Sequence, residues 1–173
     1  LHGPVRIMVP MISALFELRE TKLELARARQ ELLDRGIEVP EVPLGIMVET
    51  PSAVILSDLL ARESAFFSIG TNDLIQYSLA IDRGNEHVAH LARPFDPAII
   101  RSLATVARNA RNQGIPCALC GALAANVMAV PALLGLGITE LSVEPAAVPG
   151  VKAAVSRVDL AEVQLVVVLI DEV

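Results

Sequence analysis

LGIMVETPSAVILSDLLARESAFFSIGTND, residues 44–73, reads as one strand–helix–strand unit. Leu44 to Val48 is a short aliphatic run without polar alternation, the pattern of a strand buried on both faces. Glu49 follows it, and Thr50-Pro51 then supplies a cap with proline at the first helical position, opening a helix to about Arg62. A second run, Phe66 to Ile69, ends at Gly70, with Asn72 and Asp73 close behind. Two such runs joined by a helix must be parallel, and the crossover between them is right-handed.

The same grammar extends outward. Val5 to Val9, Pro116 to Cys120 and Glu140 to Val143 are further strand candidates. Ser13 is placed to cap a long helix to Arg35, with Leu15, Leu18, Leu25, Ala28 and Leu32 on one face and Gly36 as its stop. Asp96-Pro97 repeats the cap-and-proline signal for a helix to Asn112, closed by Gly114. A shorter helix leads to Leu134, and another begins near Val148. The order is β-α repeated about five times. An open doubly wound sheet and part of a (β/α)8 barrel both fit it, and a full barrel takes roughly 250 residues.

The chain has 173 residues, of which 53% are apolar and only 3% aromatic, so its core is built from Ala, Val, Leu and Ile. The formal charge is −6 with no cluster of Lys or Arg, which argues against a nucleic-acid surface. The longest strongly apolar stretch, Leu165 to Ile170, is far short of the ~20 residues of a membrane span. No basic-then-apolar leader is visible at the start. A soluble, cytoplasmic protein is expected.

In parallel α/β folds the chemistry lies at the carboxyl ends of the strands. Those ends carry Glu49, Asn72 with Asp73, Cys120, and Glu144. Two acids at the ends of consecutive strands suit a hard cation such as Mg²⁺, which takes one or two carboxylates and leaves other positions to water and phosphate. Arg83, shortly after, is placed to meet an anion in a forked geometry. Either acid alone could equally cap the helix that follows it; both together with Arg83 speak for a site. Cys117 and Cys120 form a CxxC, but residues three apart in a strand point to opposite faces. Cys117 therefore reads as a small core residue and Cys120 as a member of the polar end. Arg6, near the start of its strand, reads from spacing alone as a surface or barrel-bottom residue. His87 and His90 lack an evident partner and read as loop residues.

Arg6 to Ile12 (RIMVPMI), Gly45 to Pro51 (GIMVETP), the segment Phe66 to Asn85 and Leu119-Cys120-Gly121 occur in this order. Together they resemble the C-terminal phosphoenolpyruvate-binding domain of enzyme I, the phosphotransferase of the bacterial sugar phosphotransferase system, over roughly residues 4–160. Ala80 to Asn85 (AIDRGN) is similar to enzyme I in particular; the other motifs are shared with pyruvate phosphate dikinase and phosphoenolpyruvate synthase. The resemblance implies a (β/α)8 TIM barrel, of which this chain holds a C-terminal fragment of about five units. It implies transfer of phosphate from phosphoenolpyruvate to an enzyme histidine, with release of pyruvate. By the same resemblance Glu49 and Asp73 ligate Mg²⁺. Asn72, Arg83 and Arg6 hold phosphate and carboxylate, which reverses the reading of Arg6 from spacing. Cys120 is the acid that protonates the enolate.

The resemblance further implies a homodimer, and relay to the carrier HPr through N-terminal domains that also bear the histidine. None of His2, His87 and His90 matches the motif of that histidine, so the chain is expected to be part of a longer enzyme. There are departures. Ala122 stands where the family has glutamate, and Ala125-Asn126 where it has Gly-Asp. The β-branched tail, 161–173, is atypical. These departures keep a degenerate, non-catalytic dimerisation or regulatory domain as the alternative class, beside a dikinase- or synthase-type domain.

Overall fold

The computed structural model describes residues 3–163. Five strands form one sheet: β1 (Ile7–Val9), β2 (Leu44–Val48), β3 (Phe67–Gly70), β4 (Cys117–Cys120) and β5 (Glu140–Ser142). All neighbours are parallel and the spatial order is β1-β2-β3-β4-β5. A doubly wound sheet reverses its strand order at a switch point. This one never does, so each crossover advances in the same direction, as in a barrel.

The register says more. Met8 pairs with Gly45, and since Ile46 pairs with Phe67, Gly45 is level with Phe66. Arg6 is therefore two residues below Phe66, across two strand steps. Glu140 pairs with Ala118 and Ala118 with Ser68, so Glu140 is two residues above Phe66, again across two steps. Yet the three side chains meet. The Arg6 guanidinium lies 5.0 Å from the centre of the Phe66 ring and 3.4 Å from Glu140 Oε2. Residues from alternate strands meet in this way when the sheet climbs one residue per strand, the shear of an eight-stranded barrel. Arg6, Phe66 and Glu140 are one interior layer of such a barrel.

The opposite face of the sheet is covered by helices. Ile46, Val48, Phe67, Ile69, Cys117 and Leu119 point outward into a continuous aliphatic core with residues of the helices α1 (Leu15–Asp34), α2 (Pro51–Ile55), α3 (Ser57–Ala61), α4 (Thr71–Ser78), α5 (Pro97–Asn112) and α6 (Val130–Gly135). The last regular helix is α7 (Val148–Val155). Within α5, six residues from Ile99 to Ala110 are buried at helical spacing, making it the most deeply seated of the set.

Three local expectations are corrected. Ser13 is not the side-chain cap of α1. Glu17 reaches back instead, and its Oε2 accepts from the Ser13 N–H (2.7 Å), the Ala14 N–H (2.9 Å) and the Ser13 hydroxyl (3.1 Å). These bonds hold the Glu17 carboxyl below the usual range, the Ser13 backbone bond foremost. Second, the long apolar face read along α1 is only shallowly seated: Leu18 alone is buried, and Ala28 is exposed. Third, the helix expected from Pro51 to Arg62 is broken at Leu56. There the Ser57 hydroxyl donates to the Val54 carbonyl (2.7 Å), a local bond that competes with the regular ladder. The tail 164–173 and His2 lie outside the described residues.

Candidate active site

The carboxyl ends of β2, β3 and β4 bring together Glu49, Asn72, Asp73 and Cys120, and the turn after α4 adds Arg83. Glu49 is the deepest, at 3% exposure. Thr50, not Glu49, caps α2: its hydroxyl accepts from the Ala53 N–H at 3.2 Å. The capping alternative for Glu49 thus falls away. One carboxylate oxygen of Glu49 accepts from the Met11 N–H at 2.8 Å, and Met11 holds a left-handed backbone (φ 60°) to present it. The other lies over Gly70, where a Cβ would stand 2.6 Å from Oε2. Only glycine leaves that oxygen its place.

Burial pushes the Glu49 carboxyl above its ordinary range; the Met11 N–H opposes this and the neighbouring Asp73 carboxylate adds to it. Two carboxylates this close, one buried and raised by the other, are a donor set that a divalent cation would relieve. Their oxygen chemistry fits a hard ion that takes two carboxylates and fills its other positions with water and phosphate. Among the described residues no group of three or more His, Cys, Asp or Glu gathers as an all-protein cage.

Asp73 lies in the first turn of α4, and its Oδ1 accepts from Arg83 Nη2 at 2.7 Å. A designed turn brings the arginine back. Ala80 takes a left-handed backbone (φ 53°), the Arg83 N–H donates to Gln76 Oε1 (3.1 Å), and Asp82 Oδ1 accepts from the Gly84 N–H (2.8 Å). Asn85 N–H closes on the Asp82 carbonyl at 3.2 Å. Asp82 and Asn85 therefore build the turn, and Arg83 is what the turn delivers. Asn72 Oδ1 accepts from the Ala122 N–H at 3.0 Å, which leaves its amide NH₂ as the free donor. Cys120 is half-buried, and its thiol lies 3.5 Å from the Ile69 carbonyl. Cys117 points the other way into the core, where burial pushes its thiol up to about 12.

Arg6 is not brought to this mouth. It sits in the interior layer with Phe66 and Glu140, towards the amino ends of the strands. His87 and His90 are exposed beyond the turn. Sequence reasoning passed over Met11, Thr71 and Gln76. A positive φ at methionine leaves no mark in a sequence, and Gln76 looks like any helix surface residue. Thr71 was inside a recognised motif, but its neighbours Asn72 and Asp73 drew the chemistry to themselves.

Fold and site together describe a barrel-type α/β chain whose polar residues converge at the carboxyl ends of consecutive parallel strands. Residues 1–160 match the family described as PEP-utilising enzyme, PEP-binding domain, and the chain belongs to that family. It is 41% identical over 159 residues to the phosphoenolpyruvate-protein phosphotransferase of Enterococcus faecalis, covering 91% of this chain and 28% of that protein. It is 44% identical over 151 residues to the protein of the same name from Cupriavidus necator, covering 87% of this chain and 26% of the relative. The chain thus spans little more than a quarter of the length of these relatives. In fold it is similar to a citrate lyase from Burkholderia xenovorans, with a TM-score of 0.67 at 23% identity, over 88% of this chain and 49% of that one. No helix among the described residues is long and apolar enough to cross a membrane.

Proposed function

We propose that the chain is the phosphoenolpyruvate-binding part of a longer phosphotransferase, which moves the phosphoryl group of phosphoenolpyruvate to an enzyme histidine and releases pyruvate, for relay to HPr and sugar uptake. The observation that carries it is the convergence of Glu49, Asp73, Arg83, the Asn72 amide and the Cys120 thiol at one sheet end, in a chain matched to a phosphoenolpyruvate-binding family over 160 residues. In this reading Glu49 and Asp73 hold Mg²⁺, which when bound supplies charge neutralisation at the phosphate. Arg83 exchanges Asp73 for the substrate anion. The Asn72 amide donates to the same group. Arg6, which the resemblance puts on the substrate, instead pairs with Glu140 in the layer towards the amino ends of the strands and is left out of the substrate group. The protein is cytoplasmic and homodimeric in this proposal.

The chemistry balances. The bond from phosphorus to the bridging oxygen breaks and its electron pair stays on oxygen, giving the enolate. A nitrogen lone pair of the histidine, supplied from outside this chain, forms the new bond to phosphorus. The enolate collapses to a ketone as its methylene carbon takes the proton of Cys120. The thiolate left behind regains a proton from water. Phosphoryl transfer asks for positioning and electrostatics more than covalent help, and the residues present are of that kind.

The test is phosphoenolpyruvate-dependent phosphorylation and pyruvate release by the full-length protein. Asp73→Ala is expected to abolish transfer, Arg83→Ala to raise KM, and Cys120→Ala to slow pyruvate formation by roughly 10²–10⁴-fold, the usual contribution of a general acid. A wild type that transfers nothing would favour the non-catalytic reading, which rests on Ala122 in place of the family's glutamate. Unchanged pyruvate formation in Cys120→Ala would remove the acid role.

A further inference from the structure

Thr71 is fully buried, yet its hydroxyl is not spent on its own helix. It crosses to β4 and donates to the Cys120 carbonyl at 2.7 Å, a bond between residues 49 apart in sequence. Short polar side chains at a helix start usually bond locally. Here the bond falls at the residue that carries the thiol. The next residue, Gly121, has φ 95°, and a Cβ on it would stand 2.5 Å from Thr71 Oγ1. The residue after that, Ala122, donates its N–H to Asn72. Three consecutive backbone positions at the end of β4 are thus fixed by two consecutive side chains of α4. The arrangement does not depend on the side chain at position 122, because it is the Ala122 N–H that is held.

We infer that Thr71 is a positioning residue for the Cys120 thiol. This rests on the phosphotransferase reading above. By holding the Cys120 carbonyl, Thr71 sets where the thiol meets the enolate, and so on which face the methylene carbon receives its proton. In that step the S–H bond breaks with its pair left on sulfur. The enolate's carbon–carbon π pair forms the new C–H bond, and the carbon–oxygen double bond is restored. An acid displaced by about 1 Å loses rate steeply, on the order of 100-fold, without any loss of substrate affinity.

The experiment uses the full-length protein with Thr71→Val, which keeps the shape and removes the hydroxyl, and Thr71→Ser, which keeps the hydroxyl. The readouts are kcat and KM for phosphoenolpyruvate, and the methyl chirality of pyruvate made from substrate labelled stereospecifically with deuterium and tritium at its methylene carbon. Thr71→Val is expected to lower kcat by roughly 10- to 100-fold at unchanged KM and to yield partly racemised methyl groups. Thr71→Ser restores both rate and chirality. Wild-type kcat and chirality in Thr71→Val overturn the role. So does a Thr71→Ser variant as impaired as Thr71→Val, which would show that packing of the methyl group is what matters. A wild type that forms no pyruvate overturns the phosphotransferase reading and this role together, whereas turnover by wild type and Thr71→Val alike overturns the role alone.

Discussion

At the scale of single residues, the two cysteines show how a strand divides chemistry from packing. They are three apart in sequence, and the pleat sends Cys117 among the helices and Cys120 to the opposite face. That division was legible from spacing. What spacing could not give is the consequence for titration. In the folded protein burial pushes the Cys117 thiol up to about 12, whereas an unfolded chain releases that proton near 8.5. Between these values the unfolded state binds fewer protons than the native one, so stability must fall as pH rises. The contribution is fully present below about pH 8.5 and is lost progressively towards pH 12. Urea unfolding measured from pH 8 to 11 is expected to show a steeper loss for wild type than for Cys117→Ala, by at most about 1.4 kcal/mol per pH unit. Equal slopes would mean that the thiol is accessible to water. Alkylation with iodoacetamide at neutral pH is expected to mark Cys120 and leave Cys117 unmodified.

At the scale of elements, most of the strand–helix alternation could be read because its signals are local: aliphatic runs, a Thr-Pro or Asp-Pro start, a glycine stop. The break at Leu56 could not, because its cause is tertiary. The Ser57 hydroxyl not only bonds Val54 but also accepts from Asn109 Nδ2 of α5 at 2.8 Å, so a bond 52 residues long helps decide where α2 ends and α3 begins. The Glu17 cap of α1 escaped for a milder reason: a serine ahead of a helix looks sufficient, and Glu17 stands four residues after Ser13, one more than the capping-box spacing. The polar end was legible as far as residue types at strand ends, and not in its supports, since the bonds of Met11, Gln76 and Thr71 each run to or from a backbone group. Ser57→Ala provides the test at this level. It leaves a buried carbonyl and a half-buried amide short of a partner, which costs about 1 to 2 kcal/mol with no change in the denaturant slope. In an Asn109→Ala background the same substitution is expected to cost less, by about 0.5 to 1.5 kcal/mol. Additive effects would show that the bond between α5 and the break contributes nothing.

At the scale of the molecule, the interior layer of Arg6, Phe66 and Glu140 is the clearest sign of the architecture, and no reading of single strands anticipates it. Barrel layers are ordinarily filled by bulky aliphatic side chains. Here the layer is an ion pair closed over an aromatic ring. It spans β1 and β5, the two strands that have one neighbour each among the described residues. Five strands climbing one residue each follow the curvature of an eight-stranded barrel, and three more would close it. Relatives more than three times this length have chain enough to supply them. An unpaired strand edge exposes amides to water, whereas a paired one shields them. Hydrogen exchange on the full-length protein therefore distinguishes a closed barrel from an open sheet. If the barrel is closed, the amides of β1 and β5 exchange as slowly as those of Ile46, Ile69 and Leu119 in the central strands. If the sheet stays open, β1 and β5 exchange faster, on the order of 10- to 100-fold, as local opening at an edge requires less free energy than unfolding of the core.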